Sequence, residues 1–290
     1  MSLRPLSVRL LLRTHWNSAF CLLGGAGLLT AAMCHDSLLI NELSAQDWNL
    51  NCVPLEQGTD VLNGLRDSWL VAGVTGESAT QVGCEAGILR TLSLASVSFQ
   101  SLVASRALSM DNLRGKHIGI ALGSNTTAML RQMDTTNAIV TPVHQRQLEE
   151  LLVHNKVDAI AVSEPYAFLL QDEHSDWVQI ARSISRSYLV LHPLLQGNPR
   201  VVQSLLRSQA RQLARFTMET ARFQAEVWRW QQASELGISM PSAPTLHMLA
   251  SSASILRLNP SDADLAMENI GCKDTGTYSA ALQSLAVEGW

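Results

Sequence analysis

The stretch DNLRGKHIGIALGSNTTAMLRQM, Asp111 to Met133, decides how the chain is read. A charged turn leads into a short apolar strand, His117 to Leu122, which ends at Gly123 and passes into Ser124-Asn125-Thr126-Thr127 at the start of a helix. That order sets free backbone N–H groups, small hydroxyls and a helix N-terminus at the carboxyl end of a strand, where open α/β sheets hold ligands. The stretch is expected to form one lip of a binding cleft.

Segments of the same kind lie on both sides. Upstream, Leu28 to Met33 (LLTAAM) reads as a strand, and Asp36 offers an N-cap for a helix over Leu38 to Trp48. Leu50 to Leu55 reads as a second strand, Gly58-Thr59-Asp60 opens a helix carrying Val61, Leu62 and Leu65, and Trp69 to Thr75 reads as a third strand ending in Gly76-Glu77-Ser78. Strand-to-helix steps in this succession predict a parallel sheet with right-handed crossovers. Ile88 to Ala104 holds two extended apolar runs with serines between them, the second reading as a crossing between lobes.

Downstream, strand Ala138 to Val143, helix Gln145 to Asn155 and strand Val157 to Val162 follow, the last ending in Ser163-Glu164-Pro165-Tyr166 with Pro165 in the first turn of a helix. Ser187 to Leu191 is the expected return crossing, and Asn198-Pro199 caps and starts a long helix. The arginines of that helix, Arg200, Arg207, Arg211, Arg215, Arg222 and Arg229, form one stripe, for which a solvated face is the expectation over contact with lipid or nucleic acid. Beyond it, Thr245 to Leu256, Pro260 to Ile270 and Tyr278 to Val287 have helical patterns.

Composition narrows the function. The chain has 290 residues, 47% hydrophobic and 16% charged, which is a globular balance. A net charge of -4 argues against general nucleic-acid binding, which needs clustered Lys and Arg. The five cysteines, Cys21, Cys34, Cys52, Cys84 and Cys272, have no CxxC spacing; they are expected as small core residues, with neither a disulfide framework nor a zinc site indicated. Arg4, Arg9 and Arg13 precede an apolar run, Ala19 to Met33, in the form of an export or anchor segment; a first strand with a basic leader is the alternative.

The cleft loops implied by this layout offer Asp36 and Ser37, Gln57 and Gly58, then Gly76, Glu77 and Ser78 from one side. From the other come Ser124, Asn125 and Thr126, then Ser163, Glu164 and Tyr166. Asp36 also reads as a cap, and Ser124 to Thr127 suit capping and ligand contact equally, since both use the same atoms. No Arg or Lys occurs in these loops, whereas Asp36, Glu77 and Glu164 do. That tilts the expected ligand towards a neutral or amino-bearing polar molecule, with an oxyanion still open. No stretch matches a nucleophile elbow, a P-loop or a dinucleotide fingerprint, and the histidines lack metal-site spacing; no catalytic residue, cofactor or metal is expected.

DNLRGKHIGIALGSN resembles the segment that begins the second lobe in the nitrate, sulfonate, taurine and thiamine-precursor solute-binding proteins of ABC importers. VDAIAVSEPYAFLL is similar to the same family's strand ending in a Glu-Pro pair, with Ser163 where an aromatic is usual. VLNGLRDSWLVAGVTGES and LLQGNPRVVQSLLRSQARQLARF match more loosely, so the resemblance runs from Leu29 to Trp230. It implies a type II periplasmic-binding fold, two α/β lobes joined by two crossing strands, with the ligand between them. The implied division is a leader at 1–25, a first lobe at 26–104, a second lobe at 105–188, and a return to the first lobe at 189–290 with a long helix at 198–231. The implied function is that of a monomeric receptor, periplasmic or anchored facing the periplasm, that captures a small polar molecule by hinge closure and passes it to permease and ATPase subunits. An enzyme on the same fold, of the thiamine-pyrimidine or menaquinone-pathway type and cytoplasmic, is the alternative, and a ligand-sensing regulatory domain is a third.

Overall fold

The structure is a computed structural model that describes residues 32–50, 58–105, 108, 110–121, 125–133, 137–144, 147–163 and 166–218. Its helices are α1 (Ser37–Ser44), α2 (Gly58–Arg66), α3 (Glu77–Glu85), α4 (Thr126–Gln132), α5 (Gln147–Val153), α6 (Tyr166–Glu173) and α7 (Pro199–Met218). Its strands are β1 (Ala72–Gly76), β2 (Arg90–Ala104), β3 (His117–Ala121), β4 (Ile139–Val143), β5 (Ala159–Ser163) and β6 (Val178–Leu191). They form one six-stranded sheet in the order β1-β6-β2-β5-β3-β4.

Two strands, β2 and β6, are far longer than the rest and pair antiparallel along almost their whole length, from Arg90 with Leu191 to Ala104 with Val178. At one end β6 carries β1, with Gly76 opposite Ser187 and Ala72 opposite Leu191. At the other end β2 carries β5, with Gln100 opposite Ser163 and Val103 opposite Ile160. Between these attachments lies a waist, Val97-Ser98-Phe99 against Arg186-Ser185-Ile184, where β2 and β6 pair with each other alone. The result is two α/β lobes on opposite ends of two crossing strands.

Each lobe has its own core. In the first, Leu39 and Leu43 of α1, Val61 and Leu65 of α2, Val74 of β1 and Val202, Leu205 and Leu206 of α7 close on the apolar ends of β2 and β6. In the second, β3 runs parallel to both β4 and β5, as strands buried between helices do. Its central strand β5 packs Ile160 and Val162 against α5 and α6 on one face, and Ala159 and Ala161 against Ile118, Met129 and Leu130 on the other. The edge strand β4 is largely exposed and contains Pro142, a residue that sheets tolerate at an edge. Gly115, at φ +70°, makes the turn into β3, a left-handed conformation that suits only glycine without strain.

Several expectations are corrected. Ala32 and Met33, the end of the expected first strand, are helical; the rest of that strand, the leader and all but Leu50 of the second strand lie outside the described residues. The two runs in Ile88 to Ala104 are one strand, with register irregularities between Thr91 and Ser93, Leu94 and Ser96, and Leu102 and Val103. The return crossing starts at Val178 rather than Ser187. Within the first lobe, β1 pairs antiparallel with β6, so the parallel sheet is seen only in the second lobe among the described residues. The expected helices beyond Met218 also lie outside the described residues.

Cys34 and Cys84 are disulfide-bonded, not free core thiols as their spacing suggested. Both pack at the margin of the first-lobe core, Cys34 just ahead of α1 and Cys84 near the end of α3. A peptide map of non-reduced protein is expected to find Cys34 and Cys84 each in a disulfide-linked fragment, and reduction is expected to lower the midpoint of thermal unfolding. A free thiol at either position in oxidised protein would contradict this bonded state.

Candidate functional site

The carboxyl end of β1 passes straight into α3 at Gly76 and Glu77, and Gly76, the N-cap, has no side chain to bond the helix's free N–H groups. One of those groups, Ser78 N–H, is bonded instead from the other lobe: Asn125, at the start of α4, accepts from it through Oδ1 at 2.9 Å. The Nδ2 of the same amide donates to Ser185 Oγ at 2.8 Å and to the Arg186 carbonyl at 3.0 Å, both on the waist of β6. Ser185 Oγ also accepts from Gln100 Nε2 of β2 at 3.1 Å. Gln100 and Ser185 are buried, forming a polar floor where the crossing strands meet both lobes.

Around this floor stand ionic groups. Arg186 Nη1 lies 3.7 Å from Glu77 Oε2, with both side chains about two-fifths exposed at 42% and 41%. A pair so exposed contributes little to stability, because water screens it. Its importance is chemical: it sets a cation and an anion beside the N-terminus of α3. Burial raises the Tyr188 phenol above its ordinary range, with the Glu77 charge acting in the same sense and Arg186 against it. At the end of β1, Thr75 is 3% exposed and its Oγ1 has no hydrogen-bond partner. Close to the waist, Arg182 lies 3.6 Å over the Phe99 ring.

The structure brings Gly76, Glu77, Ser78 and Asn125 together. Thr126 is buried in the first turn of α4. Gly58 opens α2 and Ser37 opens α1. Ser163 ends β5 opposite Gln100, which puts its backbone at the floor, and Tyr166 begins α6. Gln57, Ser124 and Glu164 lie outside the described residues. Sequence reasoning missed Gln100, Ser185 and Arg186 because it assigned the site to loops alone. The signal for Ser185 was the run ARSISRSY, in which Ser183, Ser185 and Ser187 recur at every second position, as on one face of a strand.

Asp36 has a different setting. It caps α1 by accepting from Leu38 N–H at 3.0 Å, and its other oxygen accepts from Ser208 at 2.6 Å and from Arg211 Nη2 at 2.8 Å. Arg211 also reaches Glu42 at 3.2 Å, and Arg207 lies 3.6 Å from the same carboxylate. The carboxylate of Asp36 is thus committed to α7. The expected solvated face of α7 is corrected for Arg207 and Arg211, which pack inward on α1, Arg211 with 12% of its side chain exposed.

Other clusters have simpler accounts. Ser68 Oγ lies 3.4 Å from His192 Nε2, but His192 Nδ1 accepts from Leu194 N–H, so the neutral ring carries its proton on Nε2. Burial lowers the His192 pKa, favouring that neutral form, and the ring therefore faces Ser68 as a donor, the wrong tautomer for a base. Glu149, Glu173 and His174 bring potential metal ligands within 4.8 Å of one another. The 2.9 Å His174–Glu149 bond and the stacking of His174 on Trp177 account for that arrangement.

The fold is the two-lobed α/β fold of periplasmic solute-binding proteins. Among solved structures, the chain is similar to the alkanesulfonate-binding protein SsuA from Xanthomonas axonopodis pv. citri bound to MOPS, with TM-score 0.64 and 14% identity over 91% of this chain and 96% of that one. The ligand-binding component of an ABC-type import system from Staphylococcus aureus with zinc bound also scores 0.64, at 13% identity over 87% and 88% of the two chains. The periplasmic aliphatic sulphonate binding protein SsuA from Escherichia coli scores 0.61, at 17% identity over 91% and 95%. No family model matches the sequence, and no curated protein matches it.

The Asp36 cluster generates a pH prediction. Burial alone would raise the Asp36 pKa, but the Ser208 and Arg211 hydrogen bonds and the Arg211 charge outweigh it and hold the pKa below the usual carboxylate value. The folded pKa being the lower one, this contribution is present above the unfolded value of about 3.9 and is lost as pH falls through the folded value. Thermal unfolding of Asp36→Asn is expected to show a shallower loss of stability below about pH 4 than the parent. Asp36→Ala, which leaves Arg211 without its closest anion, is expected to cost about 3 kcal/mol at neutral pH. Parallel acid profiles for parent and Asp36→Asn would exclude this role.

Proposed function

We propose that the protein is the solute-binding receptor of an ABC importer, holding a small polar molecule between its lobes by hinge closure and delivering it to permease and ATPase subunits. The observation that carries the reading is the waist, where two crossing strands join separately cored lobes and place a helix N-terminus, a buried polar floor and the Glu77–Arg186 pair together. Such a site binds rather than reacts: it offers donors, acceptors and charge. The proposed division is a first lobe from 26–104 and 189–290 and a second from 105–188, following a leader at 1–25.

Arg186 changes the ligand expected from the loops alone. A cation beside the N-terminus of α3 favours an anionic head group, held by charge-assisted hydrogen bonds, and Glu77 favours an amino group on the same molecule. The ligand class is therefore a small sulfonate or carboxylate, amino-substituted forms included. The sulfonate-binding neighbours agree with that chemistry. The buried Thr75 hydroxyl supplies a further polar atom that a ligand can satisfy. The disulfide-bonded state of Cys34 and Cys84 supports a place outside the reducing cytosol, and among the described residues no helix is long and apolar enough to cross a membrane.

Mass spectrometry of small molecules released from the purified protein is the direct test, followed by calorimetry with the compound found. Arg186→Gln is expected to weaken binding of a sulfonate or carboxylate about tenfold or more. Glu77→Gln is expected to weaken only amino-substituted ligands. Thr75→Val is expected to lower affinity while leaving unfolding temperature unchanged or higher, since it removes a buried hydroxyl without a partner. Unchanged affinity in all three variants would place the ligand elsewhere, and conversion of the ligand to a product would replace the receptor reading with an enzymatic one.

A further inference from the structure

The Asn125 amide bonds three groups at once, and two of them fix its orientation. Ser78 N–H is a backbone donor, so only the amide oxygen can face it; the Arg186 carbonyl is a backbone acceptor, so only the amide nitrogen can face that. A carboxylate of the same shape would satisfy the first and repel the second. The seat is also shaped for this side chain. A Cβ placed on Gly76 would lie 2.8 Å from Asn125 Nδ2 and 2.9 Å from its Oδ1, closer than packed atoms come. Gly76 is extended at φ -71°, so it is the close approach, not its backbone conformation, that calls for glycine. Asn125 begins α4 without capping it through its side chain, leaving the amide committed to the opposite lobe and the waist.

We propose that Asn125 is a directional latch: seated on Gly76, it ties the second lobe to the N-terminus of α3 and to the waist, and so sets the closed angle of the two lobes without help from ligand. The inference deepens the receptor reading, but rests on the two-lobed fold and these contacts rather than on any ligand. Its elements come from three separate stretches of chain: Gly76 to Ser78, Asn125, and Ser185 to Arg186. Because it occupies Ser78 N–H, the latch also leaves the cleft's charge recognition to Arg186 and Glu77.

The test uses the full chain without ligand, by small-angle scattering and by amide hydrogen exchange. Asn125→Ala and Asn125→Asp are both expected to raise the radius of gyration, and to speed exchange at Ser78 about tenfold. Gly76→Ala, which unseats the amide by crowding, is expected to open the lobes to the same extent, and to add nothing in the Asn125→Ala background. An aspartate variant that stays as compact as the parent would overturn the directional part. Unchanged scattering and Ser78 exchange in folded Asn125→Ala and Gly76→Ala would overturn the latch. Because these readouts need no ligand, failure of the latch and failure to find a sulfonate or carboxylate ligand remain separate results.

Discussion

The antiparallel pairing of β2 with β6 is the constraint from which the rest of the architecture follows. A ladder running from Arg90 and Leu191 to Ala104 and Val178 is longer than either lobe needs, so each end can carry a separate set of strands. Where neither β1 nor β5 is attached, the ladder is two strands wide, and a two-stranded ribbon twists and bends more readily than a broad sheet. Placing the polar floor at that narrow place lets small changes of angle become large movements at the lips. Gln100 and Ser185 meet there because they are close in the ladder, though 85 residues apart in sequence.

The first lobe depends on a second kind of join. α7 packs on α1 through apolar residues such as Val202 and Leu205, and also through Asp36, Glu42, Arg207 and Arg211. Buried charges of this sort are costly to take from water, and they hold position because each has a partner. Cys34 and Cys84, each disulfide-bonded, pack against the core of the same lobe. The second lobe, built from contiguous sequence, relies on alternation in β5 and on helices covering both faces.

Much of the second lobe was legible because its strands are short apolar runs bounded by turn residues, as in His117 to Ala121 after the turn at Gly115. The start of β6 was not, since Val178 to Arg186 mixes arginines and serines that no apolar core explains. The arginine stripe of α7 was visible as a period, but a period does not say what packs against it; α1 supplied two carboxylates. Cysteine spacing likewise says nothing about which residues meet in space. Asn125 was read as a cap or a ligand contact, and its side chain bonds the opposite lobe, a role that depends on Gly76 and Arg186 and so on the tertiary fold. Arg186 escaped a reading confined to loops for the same reason, because it lies on a strand.

The contact between Asp36 and Arg211 spans 175 residues of chain, and that has a consequence for how the protein is made. A chain emerging from the ribosome can pair β3, β4 and β5 from neighbouring segments, but α1 has no α7 to pack on until Arg211 has been synthesised. Contacts so distant in sequence also close slowly, because the entropy of the intervening chain is lost before they form. The ion pair that completes the lobe therefore forms late.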